Sequence, residues 1–361
     1  MTFKALTPVR KMLAAIVLLM TTALCVSAGN RRPAHLWLGA DISGTTADEA
    51  RGIYSADTLG YVTENTQLMK DYGLDAVRLR VWVNPKDGWS SKEDVLTMAK
   101  RAQDLGMAIM IDFHYSDWWA DPQKQNIPAA WADLDLEGMK QALADHTVET
   151  LQLLKDNGID VKWVQVGNET RDGFLWPMGQ ISAGNMANYA ALSQAGYDAV
   201  KSVYPEAKVI VHIDNGYDNE VYNQIFDGLK EHGAQWDIIG MSVYPYWAMK
   251  EGREPDAEST LRDAIRNINL LNKKYGSEII ITETGVDSSK PEEGEAFMNQ
   301  MFDAVINDCD GVCTGVFYWA PEAFQTRDFN GNLRGYSLGA FQNARPTGIM
   351  RAFTRASSLM Q

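Results

Sequence analysis

The sequence predicts a single α/β domain folded as a closed (β/α)8 barrel of the TIM type over residues 29–361. Three observations lead there. Eight short runs rich in β-branched and aromatic residues recur along the chain, longer helical patterns separate them, and several of those patterns end in glycine just before the next run. The length of 361 residues suits one large barrel. An open doubly wound sheet would show the same alternation, but it normally carries a Gly-rich phosphate loop after its first strand. No G-x-G-x-x-G follows the first run here.

At the N-terminus, Lys4, Arg10 and Lys11 precede an apolar run over 12–26, and Val26-Ser27-Ala28 offers small residues for cleavage. Residues 1–28 therefore read as an export signal. Cys25 leaves a lipoprotein-type anchor as the second reading, although Leu24 is bulkier than the residue that usually precedes such a cysteine. The run is too short for a comfortable membrane span. The mature domain is expected outside the cytoplasm, either secreted or lipid-anchored at the cell surface.

The strands are expected at 36–42, 76–81, 108–113, 163–167, 208–213, 238–242, 279–282 and 315–318. None alternates cleanly between apolar and polar residues, as expected of parallel strands buried on both faces. Helices are expected at 63–72, 92–105, 139–157, 187–204, 221–232, 257–275 and 293–307. Gly73, Gly106, Gly158, Gly233 and Gly276 follow five of them. Glycine enters the left-handed region without a Cβ penalty, so these are helix stops. Strand, helix, glycine and strand again make right-handed βαβ units.

Composition narrows the function classes. Hydrophobic content of 45% and charged content of 22% are those of a globular domain. A formal charge of −14 repels phosphate backbones, so no nucleic-acid partner is expected. A monomer with no obligatory protein partner and no required cofactor is expected. Export would place Cys309 and Cys313 in an oxidising setting, which leaves a local disulfide and two buried thiols both open. The five histidines show no H-x-x-x-H spacing, against a catalytic metal. No Gly-x-Ser-x-Gly elbow supports a serine hydrolase.

In such a barrel the chemistry sits just after the strands, where the βα loops converge. Asn168-Glu169 follows the fourth run and Glu283 follows the seventh. Desolvating a glutamate at such a half-buried place costs several kcal/mol unless it is paired or neutralised. One such residue reads as well as a rim ion pair. Two, on strands four and seven, are what glycosidic cleavage needs: one carboxyl protonated to assist the departing oxygen, the other ionised to attack the anomeric carbon.

The residues that surround this pair carry a resemblance. Gly39-Ala40-Asp41-Ile42-Ser43, Val77-Arg78-Leu79-Arg80-Val81-Trp82-Val83-Asn84-Pro85, the long segment from Asp112-Phe113-His114-Tyr115 through Ser116-Asp117-Trp118-Trp119-Ala120-Asp121-Pro122, and Val164-Gln165-Val166-Gly167-Asn168-Glu169 resemble glycoside hydrolase family 53, the endo-β-1,4-galactanases of clan A. The resemblance covers most of the mature chain. It implies retaining hydrolysis of β-1,4-galactan or type I arabinogalactan, with Glu169 as acid/base and Glu283 as nucleophile. It also implies that Asn168 bonds the sugar 2-hydroxyl, that Arg80 holds Glu283 ionised, that Tyr244 donates to the nucleophile, and that Trp319 floors the −1 sugar site. His114 and Asp41 are expected to touch substrate or orient a carboxylate. Trp118 and Trp119 are expected as sugar platforms ahead of Trp131.

Some family members bind a structural calcium on the loops after strands seven and eight. Here 286–293 lacks the alternating ligands, and Asp328, Asn330 and Asn332 suit a hard cation or a plain turn. Gly285-Val286-Asp287 also lacks the aromatic-proline stretch that often follows the nucleophile. A clan β-mannanase or cellulase would use the same glutamates, and a non-catalytic glycan-binding barrel would keep the tryptophans but need neither acid.

Overall fold

The computed structural model describes residues 32–250, 256–327 and 333–360. The export segment with Cys25, and the calcium candidates Asp328, Asn330 and Asn332, lie outside them. Eight parallel strands close on themselves in sequence order: β1 (Trp37–Asp41), β2 (Ala76–Val81), β3 (Ala108–Phe113), β4 (Val161–Val166), β5 (Lys208–Ile213), β6 (Ile238–Val243), β7 (Glu278–Thr284) and β8 (Cys313–Trp319). β1 pairs with β8 through Trp37↔Gly315 to Asp41↔Trp319, which completes the cylinder.

The helices wrap the outside, and their ends follow local chemistry. Ser91 and Asp135 accept backbone N–H groups at the starts of Lys92–Asp104 and Leu136–Asp156. The Asp135 cap explains why the latter begins earlier than its apolar pattern. Gly73, Gly106, Gly158, Gly233 and Gly276 all have positive φ, as helix stops require. The seven expected helices are present, with shorter ends in places.

Three further helices escaped the sequence reading: Thr45–Ala50, Pro245–Lys250 and Gly348–Met360. The last buries Ile349, Met350, Ala352, Phe353 and Ala356 and packs on Pro291–Asp308, closing the ring. It follows a long connection after β8, so no regular spacing announced it. Among the described residues no helix is long and apolar enough to cross a membrane. Cys309 and Cys313 are buried free thiols.

The lower barrel is filled by one inward-facing apolar layer: Ala76, Met110, Trp163, Ile210, Ile238, Ile280 and Phe317. Gly39 lies beside it for lack of room. A Cβ there would come within 2.3 Å of the Phe317 ring, so β1 can approach the plug only without a side chain. Because strand side chains alternate with period two, the next inward positions above this plug form the floor of the barrel mouth.

Candidate active site

That next layer is charged. On β2 the step from Ala76 leads to Arg78, which is fully buried. Its Nη1 lies 2.7 Å from Asp41 Oδ2, and its Nη2 lies 2.9 Å from both Asp112 Oδ2 and Glu283 Oε1. Burial opposes the charge on Arg78, but Asp112, Glu283 and Asp41 together hold it protonated more firmly than usual. Asp112 is pulled the other way: burial would raise its carboxyl, yet Arg78 and His114 keep it below the ordinary value.

The arginine that pairs with Glu283 is therefore Arg78 and not Arg80. Both residues face inward, since they are two apart on one strand, but Arg80 sits one step higher and makes no ion pair with the buried carboxylates, although it feels their charge. Its guanidinium lies 4.5 Å from the Trp82 ring centre and 4.0 Å from that of Trp119, and its Nη2 donates to Ser90 Oγ at 3.1 Å. Asp41 is likewise reassigned. It is spent on Arg78 and on the Ser43 hydroxyl, which donates to Oδ1 at 2.6 Å, and it does not line the main cleft.

Glu169 leaves β4 through a tight turn. Gly167 has φ 84° and Glu169 itself φ 48°, a left-handed conformation that costs a non-glycine residue about 1–2 kcal/mol. The Ser242 hydroxyl donates to Glu169 Oε1 at 2.7 Å, and His212 Nε2 lies 2.9 Å from Ser242 Oγ. Asn168 is fixed on both sides: its Oδ1 accepts from Arg78 Nη2 at 2.8 Å, and its Nδ2 donates to the Ala120 carbonyl at 2.9 Å. Glu283 lies within β7, on a stretch where the register with β8 shifts. Its Oε2 accepts from the Tyr244 hydroxyl at 3.0 Å.

Glu169, Glu283, Asn168, His114, Tyr244, Trp119 and Trp319 meet in one cleft of about 490 Å³ at the C-terminal mouth. His114 accepts from the Ala120 N–H through Nδ1 at 3.1 Å and places Nε2 3.1 Å from Asp112. Burial lowers its pKa despite Asp112. It is a neutral ring, held in one tautomer. Trp319 packs edge-on against Trp119 and Tyr336, with centroids 5.7 and 4.6 Å away. Trp118 is not in this cleft. It is 53% exposed, leans on Trp82 and faces a neighbouring recess. Trp131 packs into the core beside His146. Among the described residues no group of three or more His, Cys, Asp or Glu is placed to hold a metal ion.

The two glutamates share a site but not an environment. Burial drives Glu169 well above the usual carboxylate range, and the charges of Glu283 and Asp214 add to the rise. Burial also raises Glu283, to about 7, but there Arg78 and the Tyr244 hydroxyl pull downward against Asp112 and Asp41. Glu169 thus keeps its proton after Glu283 has lost its own, the split that paired acid and base chemistry requires. Removing one hydroxyl tests the split. A hydrogen bond to a charged group is worth about 1.5–3 kcal/mol, and about 1.4 kcal/mol is one pH unit. In Tyr244→Phe, Glu283 should therefore ionise about one unit higher. The acidic limb of the kcat/KM profile moves up and activity below it drops about tenfold. A profile that keeps both limbs in place rejects this role for Tyr244.

Sequence reasoning missed Arg78, Asp112, His212, Ser242 and Tyr336. A signal was there for the first two: a charge in the middle of an otherwise apolar buried run needs a partner.

Comparison with known proteins places the chain among relatives of one family and one fold. Residues 37–296 match the model of the family described as Glycosyl hydrolase family 53. The chain is 33% identical over 330 residues to the probable arabinogalactan endo-beta-1,4-galactanase A of Neosartorya fischeri, covering 85% of this chain and 89% of that one. In structure it resembles a fungal beta-1,4-galactanase with a TM-score of 0.77 at 27% identity, over 88% of this chain and 99% of the other. The GH53 catalytic domain of Ignisphaera aggregans matches equally, TM-score 0.77 at 26% identity, over 89% and 96%.

Proposed function

Because the chain belongs to glycosyl hydrolase family 53 and is a glycoside hydrolase, we propose that it cleaves β-1,4-galactosidic bonds within galactan or type I arabinogalactan, with retention at the anomeric carbon. The single observation that carries the catalytic reading is the unequal pair: Glu169 and Glu283 line one cleft, and only Glu283 touches Arg78.

In this reading Glu283 attacks the anomeric carbon while Glu169 gives its proton to the departing oxygen. A covalent glycosyl-enzyme forms, and Glu169, now a base, takes a proton from the water that releases the sugar. Asn168 has its carboxamide locked by Arg78 and Ala120, so it meets the 2-hydroxyl without reorganising. Trp119 and Trp319 supply the apolar faces on which a sugar ring packs. No step needs a cofactor. The catalytic groups all come from one barrel, so a monomer serves as the working unit. The basic and apolar segment at 4–26 supports export, with secretion and lipid anchoring both compatible.

The substrate reading rests on the names and closeness of the relatives. Its test is release of reducing ends from β-1,4-galactan, galactomannan and carboxymethyl-cellulose under one set of conditions. Release from galactan, at least about tenfold faster than from the others, is expected. A preference of that size corresponds to about 1.4 kcal/mol of transition-state discrimination. Preferential release from galactomannan or from carboxymethyl-cellulose overturns the galactan assignment, and release from none overturns the enzyme reading.

A further inference from the structure

Glu169 stands at the end of a buried hydrogen-bond chain. Its Oε1 lies 2.7 Å from Ser242 Oγ on β6, and that oxygen lies 2.9 Å from His212 Nε2 on β5. On the other side of the ring, His212 Nδ1 lies 3.0 Å from Asn168 Oδ1. His212 and Ser242 are both buried, so the chain is shut off from bulk solvent. Burial and the Arg78 charge keep the ring neutral against the pull of Asp112, and His114 adds to the fall. A neutral imidazole carries one N–H and one lone pair, and its neighbours decide which nitrogen has which. Here Asn168 decides. Its amide cannot be turned over, because Oδ1 accepts from Arg78 Nη2 at 2.8 Å and from Gln165 Nε2 at 3.2 Å, while Nδ2 donates to the Ala120 carbonyl. An oxygen 3.0 Å from Nδ1 calls for a hydrogen on Nδ1. The Glu169 N–H also approaches Nδ1, but from 3.4 Å, and the nearer partner prevails. Nε2 is then an acceptor, and the Ser242 hydroxyl faces it.

Resting on the reading of Glu169 as the acid, we propose that His212, acting through Ser242, is a positioning residue that keeps the proton on Glu169 until the glycosidic oxygen competes for it. With Nδ1–H bonded to Asn168, Nε2 draws the serine hydrogen, and Ser242 turns its lone pairs to Glu169. The hydrogen between the two oxygens comes from Glu169 while that carboxyl is protonated. Once the carboxyl is ionised the serine must donate to it, and Nε2 faces an oxygen with no hydrogen between them. The chain is complete in one protonation state and broken in the other, and an unmade bond between buried groups is costly. Arg78 thus serves both glutamates: it pairs with Glu283 directly, and through Asn168 it orients the ring behind Glu169. The charged groups that face Glu169 itself, Glu283, Asp214 and Arg78, stay in place in the variants below.

His212→Asn puts an amide N–H where Nδ1–H stood and nothing where Nε2 stood. The Ser242 hydrogen is then free to bond the ionised carboxylate. The basic limb of the kcat/KM profile, which reports the acid, is expected to fall by about one pH unit, the size of one bond to a charged group. In a Ser242→Ala background the same substitution should leave the limb in place, because the ring acts through the hydroxyl. A limb that rises or stays in His212→Asn, or that falls equally in both backgrounds, overturns the proposal. ¹⁵N NMR of histidine-labelled wild type reads the ring directly, with the His212 signal identified by its shift in Ser242→Ala and melting temperature as the check on folding. A hydrogen on Nδ1 is expected, and a hydrogen on Nε2 overturns the chain. If Glu169→Gln keeps the basic limb, the acid reading fails on its own, whichever nitrogen carries the hydrogen.

Discussion

Replacing Glu283 by alanine is expected to lower turnover of galactan by about 10⁴- to 10⁶-fold, the range seen when a covalent nucleophile is deleted. The fold should survive. Arg78 keeps Asp41 and Asp112 as partners, so the guanidinium is still neutralised after one carboxylate is removed. Melting within a few degrees of wild type is the control. The deeper test compares this variant with Glu169→Ala on aryl β-galactobiosides with added azide. Without Glu283, azide enters the vacated face: a C–N bond forms at the anomeric carbon, the C–O bond to the aryl group breaks, and an α-azide results. Without Glu169, Glu283 still displaces an aryloxide that needs no proton. Azide then displaces Glu283 and the product is a β-azide. Opposite anomers from the two variants are the expected result. The same anomer from both, or a Glu169→Ala enzyme as slow on activated aryl substrates as on galactan, sinks the assignment.

The barrel was legible in the chain because its information is local and repeated. Every strand is a largely buried run dominated by apolar residues, and the glycines at 73, 106, 158, 233 and 276 punctuate the helices where backbone geometry demands it. Gly348–Met360 was not legible, because 28 residues separate it from β8 and its apolar face means something only against Pro291–Asp308. The site divides in the same way. Glu169, Glu283, Asn168, His114, Tyr244 and Trp319 stand at or near strand ends, Trp119 stands on the loop after β3, and all converge in one cleft. The charge network beneath them could not be read so directly. Parity puts Arg78 and Arg80 on one face, and only the closed cylinder shows that the lower one reaches Asp41, Asp112 and Glu283 together. Ser242 and His212, which stand behind Glu169, belong to strands that lie far apart in sequence from β4. A serine or histidine ending an apolar run carries no such message alone.

Arg78→Met is expected to be the most damaging single change to stability. The substitution keeps an apolar stem of similar length but leaves three buried carboxylates facing one another. Breaking a buried ion pair by removing one partner costs about 3–5 kcal/mol, because the remaining charge has neither water nor a counterion. The pH dependence should separate this cause from lost packing. In wild type Asp112 is held below its ordinary value, so its contribution is complete above about pH 4 and is lost as pH falls through the depressed value. In the variant burial acts unopposed by Arg78 on Asp112 and Glu283: the folded value of Asp112 rises above its unfolded one, and that of Glu283, already raised to about 7, rises further. Stability is then greatest in acid and is lost as pH rises through those values. Glu169 and Glu322, both raised by burial, also stabilise the fold in acid, but they do so in both proteins and largely cancel in the difference. Urea unfolding at pH 4 and pH 7 should therefore give a gap between the two proteins that widens at pH 7. Turnover at neutral pH should fall with it, by about a thousandfold, since a protonated Glu283 cannot attack. A gap that is the same at both pH values would mean that Arg78 acts as filler, and that something other than its charge readies the nucleophile.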